Sequence, residues 1–299
     1  MALRPKIVVA LLTDQQEFQL KQAEDARTAA AQEGVEVEVV FAEGNGVLQI
    51  HQLFRYINLP KEKRPMAFVV EAIAADGLQS VAKSAAEVGI GWVLLSSRAD
   101  YLDSLQKQFP ALLISSATAN DEEIGRIQAR HFRALLSNGG SVLYIEGPSM
   151  SATTQLRRRT MEEGIRDSNV RIGKTLRADW TEDGAKRAMT SWLQMKIDPR
   201  LRPDLIGAQN DTMAVGAREA LLASRAEWAT VPMTGCDGLP DGGQDLVKKG
   251  MLAATVIKPT TAGAGVVLVA RARGGGPLPP PVILSPQSYP SVETLTARS

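Results

Sequence analysis

The feature that most constrains the fold of this chain is a repeated alternation: short apolar, β-branched runs, each followed by a longer segment of helical period. The first pair is IVVALL (7–12) and FQLKQAEDARTAAAQEG (18–34). The run reads as a buried strand, the longer segment as a helix, and Gly34 as the residue that ends it. Strands follow at 36–42, 66–70, 92–97 and 111–117, with helical stretches at 47–57 and 78–88 between them. The rhythm continues through helix 121–137, strand 141–147, helix 151–168, strand 170–179, helix 182–195, strand 204–209, helix 211–223, strand 231–238 and helix 242–250. Parallel neighbours need a long return, and that return is usually a helix. The alternation therefore predicts parallel sheets covered by helices on both faces. An eight-fold barrel is the alternative. About ten or eleven candidate strands favour two open α/β lobes instead.

The tail departs from the rhythm. Strand MLAATVIKP (251–259) and helix TTAGAGVVLVARA (260–272) are followed by the Gly/Pro-rich RGGGPLPPP (273–281) and the short run PVILS (281–285). Such a connector after a helix suggests lobes joined by more than one crossing. The stretch 98–111 carries no assignment.

The 299 residues suffice for two cores. With 44% apolar and 22% charged residues, disorder and a disulfide scaffold are excluded. A net charge of +1 gives no support for a nucleic-acid or acidic-membrane partner. One cysteine, Cys236, and two histidines, His51 and His131, are too few for a typical zinc site, so no metal or other cofactor is expected. Both histidines fall within helical stretches and read as structural. No run approaches the ~20 residues of a membrane span, and IVVALL is shorter than the ~7–15 of a signal-peptide core. The expected location is periplasmic if a signal peptide has been removed and cytoplasmic if Met1 is the native start.

Nucleophilic catalysis finds no signature: there is no G-x-S-x-G, H-E-x-x-H or P-loop lysine pattern. Gly44 and Gly46 lack the third glycine of a dinucleotide fingerprint. The triple Arg157-Arg158-Arg159 suggests an anion site, but consecutive helical residues point in three directions, so one faces a cleft while the others are solvated. What remains is a set of polar and aromatic residues just past strand ends, where open α/β sheets place ligands. It comprises Gln15, Gln16, Phe18 and Gln19 after strand one, Glu71 after strand three, and Ser96, Ser97 and Arg98 after strand four. Arg159, Trp180, Asn210, Asp211, Asp237 and Lys258 complete it. An aromatic face with carboxylate, amide and guanidinium groups suits a polyhydroxylated ring, whose CH-rich face stacks while its hydroxyls donate and accept. Structural readings stand beside these: Asp211 as a helix cap, Asn210 and Asp237 as turn residues, Phe18 and Trp180 as core, Glu71 and Lys258 as solvated rim charges.

The segments IGAQNDTMAVGAREAL (206–221) and TGCDGLPDGGQDLVKKGMLAATV (234–256) resemble the type I periplasmic sugar-binding proteins, in which a strand ending in Gln-Asn-Asp and a later Asp-Gly hold sugar hydroxyls. Phe18, the helix carrying Arg159 to Gly164, Ala178-Asp179-Trp180 and the Gly/Pro-rich tail fall in family order. The resemblance implies two similar open parallel-sheet lobes of Venus-flytrap type joined by three hinge crossings, near 115–120, 255–259 and 280–284. It divides the chain into residues 1–117 with 259–281 and residues 118–258 with 282–299, with the ligand cleft between them. It also implies stacking by Phe18 and Trp180, hydroxyl binding by Arg159, Asn210 and Asp237, and contacts from Gln16, Gln19, Ser96 and Lys258; Glu71 and Ser97 complete the expected ligand-binding set.

Two departures bear on specificity. Where ribose binders carry Asn-Asn-Pro-Phe-Phe, this chain has Gln15-Gln16-Glu17-Phe18-Gln19. Where they carry Asp-Arg, it has Ser96-Ser97, with Arg98 one position late. Together with Glu71 and Lys258, these changes leave room for a sugar other than ribose, a cyclitol, or an amino- or acid-substituted ligand. The expected function is non-catalytic binding of a small polar ligand, a sugar or related polyol, with hinge closure, by a monomer that serves an ABC permease or a sensor kinase. The alternative is an effector-binding protein of the lactose-repressor type without a DNA-binding segment, since no helix-turn-helix precedes residue 7.

Overall fold

The computed structural model describes residues 5–73, 75–96, 99–195, 202–274 and 276–296, without the side chains of residues 75 and 76. It divides into two compact units, residues 1–119 with 260–284 and residues 120–259 with 285–299. The chain therefore passes from one unit to the other at 119–120, 259–260 and 284–285.

The first unit is a six-stranded sheet. Its strands are β1 (Lys6–Leu11), β2 (Glu36–Phe41), β3 (Ala67–Glu71), β4 (Gly91–Leu95), β5 (Ile114–Ala119) and β11 (Val282–Leu284). They are ordered β11-β5-β4-β3-β1-β2 and run parallel, with Ile7 opposite both Val37 and Ala67. Alternate residues feed opposite faces, as the strand period requires. Val8, Ala10, Phe68, Val70, Trp92 and Leu94 pack on one face. There they meet Leu53 and Tyr56 of α2 (Gly46–Ile57), Val81 and Ala82 of α3 (Gln79–Glu87), and Leu102 and Leu105 of α4 (Tyr101–Gln108). Ile7, Val9, Leu11, Val69, Val93 and Leu95 pack on the other face. Their partners are Ala23 and Ala26 of α1 (Glu17–Glu33) and Val266 and Val269 of α10 (Ala262–Ala272). Burial on both faces is why these strands read as continuous apolar runs. Gly34 ends α1 at φ 66°, in the left-handed region that glycine enters without a Cβ penalty.

The second unit repeats the plan with β6 (Gly140–Glu146), β7 (Val170–Arg177), β8 (Leu205–Ala208), β9 (Met233–Asp237), β10 (Ala254–Ile257) and β12 (Gln287–Tyr289). Their order is β12-β10-β9-β8-β6-β7. Its helices are α5 (Asp121–Leu135), α6 (Ala152–Ile165), α7 (Glu182–Gln194), α8 (Asp211–Ser224) and α9 (Gly243–Lys248). Leu143, Ile145, Ile206 and Ala208 pack with Met189, Met213 and Ala217 on one face; Val142, Tyr144 and Leu205 pack with Phe132 and Met161 on the other. In each unit the second-born strand lies outside the first, which puts the reversal of strand order beside the first strand's carboxyl end.

Three local features depart from expectation. The unassigned stretch 98–111 contains α4, a short helix whose Tyr101, Leu102 and Leu105 are buried. The short strand β12 is antiparallel to β10, Thr255 lying opposite Tyr289. It enters the second sheet from β11 of the first unit rather than by a helical crossover from β10, so the parallel direction that such a crossover imposes does not apply. Finally, Asp211 does not cap α8; Asn210 does, accepting from the Met213 N–H at 2.8 Å.

Candidate functional site

In both units the polar residues singled out in the sequence gather at the carboxyl ends of the strands. In the first unit Gln19, Glu71 and Ser96 form one connected group. Glu71, the last residue of β3, is 6% exposed. Its Oε2 accepts from Gln19 Nε2 at 3.0 Å and Gln22 Nε2 at 3.3 Å, and its Oε1 accepts from Ser96 Oγ at 2.7 Å. Gln19, in the first turn of α1, also accepts from the Leu12 N–H at 3.2 Å through Oε1, which ties the turn after β1 to this carboxylate. Gln22 Oε1 accepts from the N–H groups of Thr261 and Ala262 at 2.7 and 2.9 Å, anchoring the start of α10 to the same network. Gln16 is the half-buried N-cap of α1 in an extended conformation, its side chain making no cap bond. Phe18 is buried and stands outside both apolar clusters of the sheet. Gln15 is exposed, donating to Asp14. Ser97 and Arg98 lie outside the described residues.

In the second unit the centre is Arg157, on α6. It is 2% exposed. Its Nε donates to Asp121 Oδ1 at 2.8 Å, its Nη1 donates to the Gln209 carbonyl at 2.9 Å, and its Nη2 is buried without a hydrogen-bond partner. Burial by itself works against the Arg157 charge. The attraction of Asp121, with Cys236 and Asp237 behind it, outweighs this and holds the pKa above its ordinary value. The guanidinium lies 6.0 Å from the Trp180 ring, within cation–π range.

Trp180 packs against the apolar face formed by α7 and α8, and its ring covers Gly147, where a Cβ would come within 2.2 Å of it. Asn210 Nδ2 donates to the Trp180 carbonyl at 2.9 Å, so one amide both caps α8 and fixes the aromatic residue. Asp237, half-buried, ends β9, and its carbonyl accepts from the Lys258 N–H at 3.1 Å, joining the ends of β9 and β10. Lys258 is half-buried.

Among the described residues, four non-glycine residues have left-handed backbone: Glu43 (φ 52°), Ser96 (62°), Trp180 (69°) and Asp237 (104°). All four fall at or within three residues of a strand's carboxyl end. Such conformations cost on the order of 1–3 kcal/mol each and cluster where ligands bind. Three of the four belong to the set chosen from sequence.

Arg159, also in that set, does not join either group. It is 56% exposed and pairs with Glu122 at 2.8 Å and Glu163 at 3.9 Å. The helical period explains the difference. Two residues advance the helix by about 200°, so Arg159 points outward when Arg157, on the face of buried Thr154, Thr160 and Met161, points inward. That buried face is the signal that singles out Arg157 within the triple. Asp121, Gln209 and Gln22 were also absent from the sequence-based set, although each is buried and bonded into these two groups. A surface depression of about 620 Å³, lined by Arg130, Arg133, Ser168 and Val292 among others, lies at the opposite, amino-terminal end of the second sheet.

A family model described as a periplasmic binding protein domain matches residues 7–275. The chain belongs to that family. Among its relatives is the D-allose-binding periplasmic protein of Escherichia coli K12, 31% identical over 147 residues that cover 48% of this chain and 45% of the relative. The chain spans about half to two thirds of the length of the curated relatives it matches. Two solved structures of the same fold cover nearly the whole chain. An ABC transporter solute binding protein from Bacillus halodurans C-125, with bound myo-inositol, superimposes with a TM-score of 0.82 at 18% identity, covering 99% of this chain and 97% of its own. A periplasmic solute binding protein from Actinobacillus succinogenes 130z, with bound D-allose, gives 0.83 at 19% identity, covering 97% and 98%. The two open parallel α/β units are thus the type I periplasmic binding protein fold.

Proposed function

We propose that this chain is a non-catalytic receptor for a small polyhydroxylated ligand, a sugar or cyclitol, and that the strand-end groups of both units serve one ligand. The observation that carries the reading is the buried Nη2 of Arg157, an orphaned donor beside the Trp180 ring. A buried donor without an acceptor costs about 1–3 kcal/mol, and a ligand hydroxyl relieves that cost while its carbon face lies on the aromatic ring. Asn210 keeps one amide N–H beyond the bond to Trp180, and Asp237 presents a carboxylate at the same edge. The ligands in the two superimposed structures, myo-inositol and D-allose, are of this chemistry.

Contacts from both units to one ligand exist together only when the units close on it, so binding stabilises that state differentially. The partner that reads closure is the permease of an ABC importer. No helix among the described residues is long and apolar enough to cross a membrane, so this reading leaves translocation to the partner. The test is a thermal-shift screen against pentoses, hexoses and cyclitols. A ligand at 100 times its dissociation constant adds about 2.7 kcal/mol of stability, a rise in Tm that the screen detects. A panel with no shift at saturating concentrations contradicts the proposal.

A further inference from the structure

Among the described residues, the carboxylate of Glu71 is held by neutral donors. The amides of Gln19 and Gln22 donate to Oε2 and the hydroxyl of Ser96 donates to Oε1. Among the described residues no Lys, Arg or His is ion-paired with it. Two buried carboxylates of the second unit are ion-paired, whereas Asp211 is bonded by the Gly238 N–H and the Thr255 hydroxyl. Asp121 meets Arg157 at 2.8 Å, and Glu146 meets Arg177 at 2.8 Å and Arg158 at 3.2 Å. A buried carboxylate without a counter-charge is costly, and a group placed against it gains more from a positive charge than from a dipole.

Each carboxylate oxygen has about two acceptor sites. Oε2 fills both through Gln19 and Gln22, whereas Oε1 uses one on Ser96 and keeps one. Ser96 Oγ, having donated its proton to Glu71, keeps its own lone pairs. Its backbone at φ 62° holds it at the carboxyl end of β4, the edge where an open sheet receives a ligand. The remaining acceptors are therefore Glu71 Oε1 and Ser96 Oγ, side by side and, among the described residues, without a basic partner.

We infer that this corner of the first unit accepts a protonated amine, and that the ligand of the receptor is an amino-substituted polyol rather than a neutral one. The ammonium donates to Glu71 Oε1 and Ser96 Oγ and supplies the charge the carboxylate lacks. The inference rests on the receptor reading and goes beyond it in naming the ligand class.

The experiment titrates wild-type protein calorimetrically with matched pairs that differ in one group: D-glucosamine against D-glucose, D-galactosamine against D-galactose, and an aminodeoxy-inositol against inositol. The expected result is at least tenfold tighter binding of the amine in the pair that binds best. That preference is lost in Glu71→Gln and fades above the pKa of the ligand amine. Ser96→Ala, which keeps the carboxylate, reduces the preference without abolishing it. Equal or tighter binding of the neutral member overturns the inference and leaves the receptor reading standing. So does a Glu71→Gln protein that weakens both members alike, since Glu71 then only positions Gln19 and Ser96. Absence of binding by every member overturns both.

Discussion

The carboxylate of Asp211 accepts a 2.7 Å hydrogen bond from the backbone N–H of Gly238, the residue after Asp237. Its other oxygen accepts from Thr255 Oγ1 on β10 at 2.6 Å. Gly235 and Gly243 press against the same carboxylate; a Cβ at either position would lie 2.1 Å from an Asp211 oxygen. Asp211 thus clamps the turn that presents Asp237 with φ 104°, and Asp237 is a residue proposed to meet the ligand.

Removing the clamp leaves the Gly238 N–H and the Thr255 hydroxyl without this acceptor. Asp211→Ala is expected to destabilise the protein by about 2–3 kcal/mol, the cost of unsatisfied buried donors, and to weaken ligand affinity as Asp237 loses its position. Urea unfolding checks the first effect and calorimetric titration the second. Wild-type stability in this variant would show that the clamp carries no load.

The arginine triple separates burial from exposure within one helix. Arg157→Ala strands Asp121, itself 6% exposed, and is expected to cost about 3–5 kcal/mol, as broken buried ion pairs do. Arg159→Ala removes two exposed ion pairs and is expected to stay within about 0.5 kcal/mol of wild type. Paired unfolding curves decide the matter, and equal effects of the two substitutions would contradict the assignment.

His131, on α5, is fully buried, its Nε2 2.7 Å from Ser288 Oγ and its Nδ1 without a partner. Burial, with a smaller contribution from Arg130, pushes its pKa down to about 3. In the unfolded chain it titrates near its ordinary 6.5, so the unfolded state binds the proton first as the pH falls. The stabilising contribution is whole above 6.5 and is lost progressively between 6.5 and 3, at about 1.4 kcal/mol per pH unit. Between pH 7 and 5, wild type is expected to lose about 2 kcal/mol that His131→Gln does not lose, as urea unfolding at the two pH values measures. Identical losses would exclude His131 as the source.

Cys236 is buried on β9, and burial pushes its thiol up to about 12, against the opposing attraction of Arg157. Because the thiolate is the reactive form, native protein at pH 8 is expected to resist iodoacetamide and to become alkylated when unfolded. Mass spectrometry distinguishes the two, and rapid native alkylation would contradict the burial.

Much of the fold was legible because parallel strands buried on both faces carry uninterrupted apolar runs, as in AFVVE and GWVLL, and because Gly34 marks its helix end chemically. The edge strand β12 was not legible: Gln287-Ser288-Tyr289 has no apolar pattern and forms through its backbone against β10. Helix α4 was missed because its eight residues are fewer than the roughly 10–12 over which periodicity identifies a helix. At the site, position after a strand end identified Gln19, Glu71, Ser96, Trp180, Asn210 and Asp237 as polar or aromatic residues at the sheet edges. The choice among three adjacent arginines was not decided by type or order. It depended on a helical phase that only the packing of Met161 and Thr154 against the sheet fixes. Asp211 was read as a cap because an Asp before an apolar helix usually is one. Here Asn210 reaches the Met213 N–H first and releases Asp211 to the Gly238 turn.

The central claim, that groups at the ends of both sheets serve one ligand, is tested most directly by calorimetric titration of the best sugar or cyclitol from the screen into wild type, Ser96→Ala and Asp237→Asn. One substitution lies in each unit. The account expects one-to-one binding by wild type and at least a tenfold loss in each variant for the same ligand. Unchanged affinity in either variant would place the ligand on one unit alone and contradict the claim.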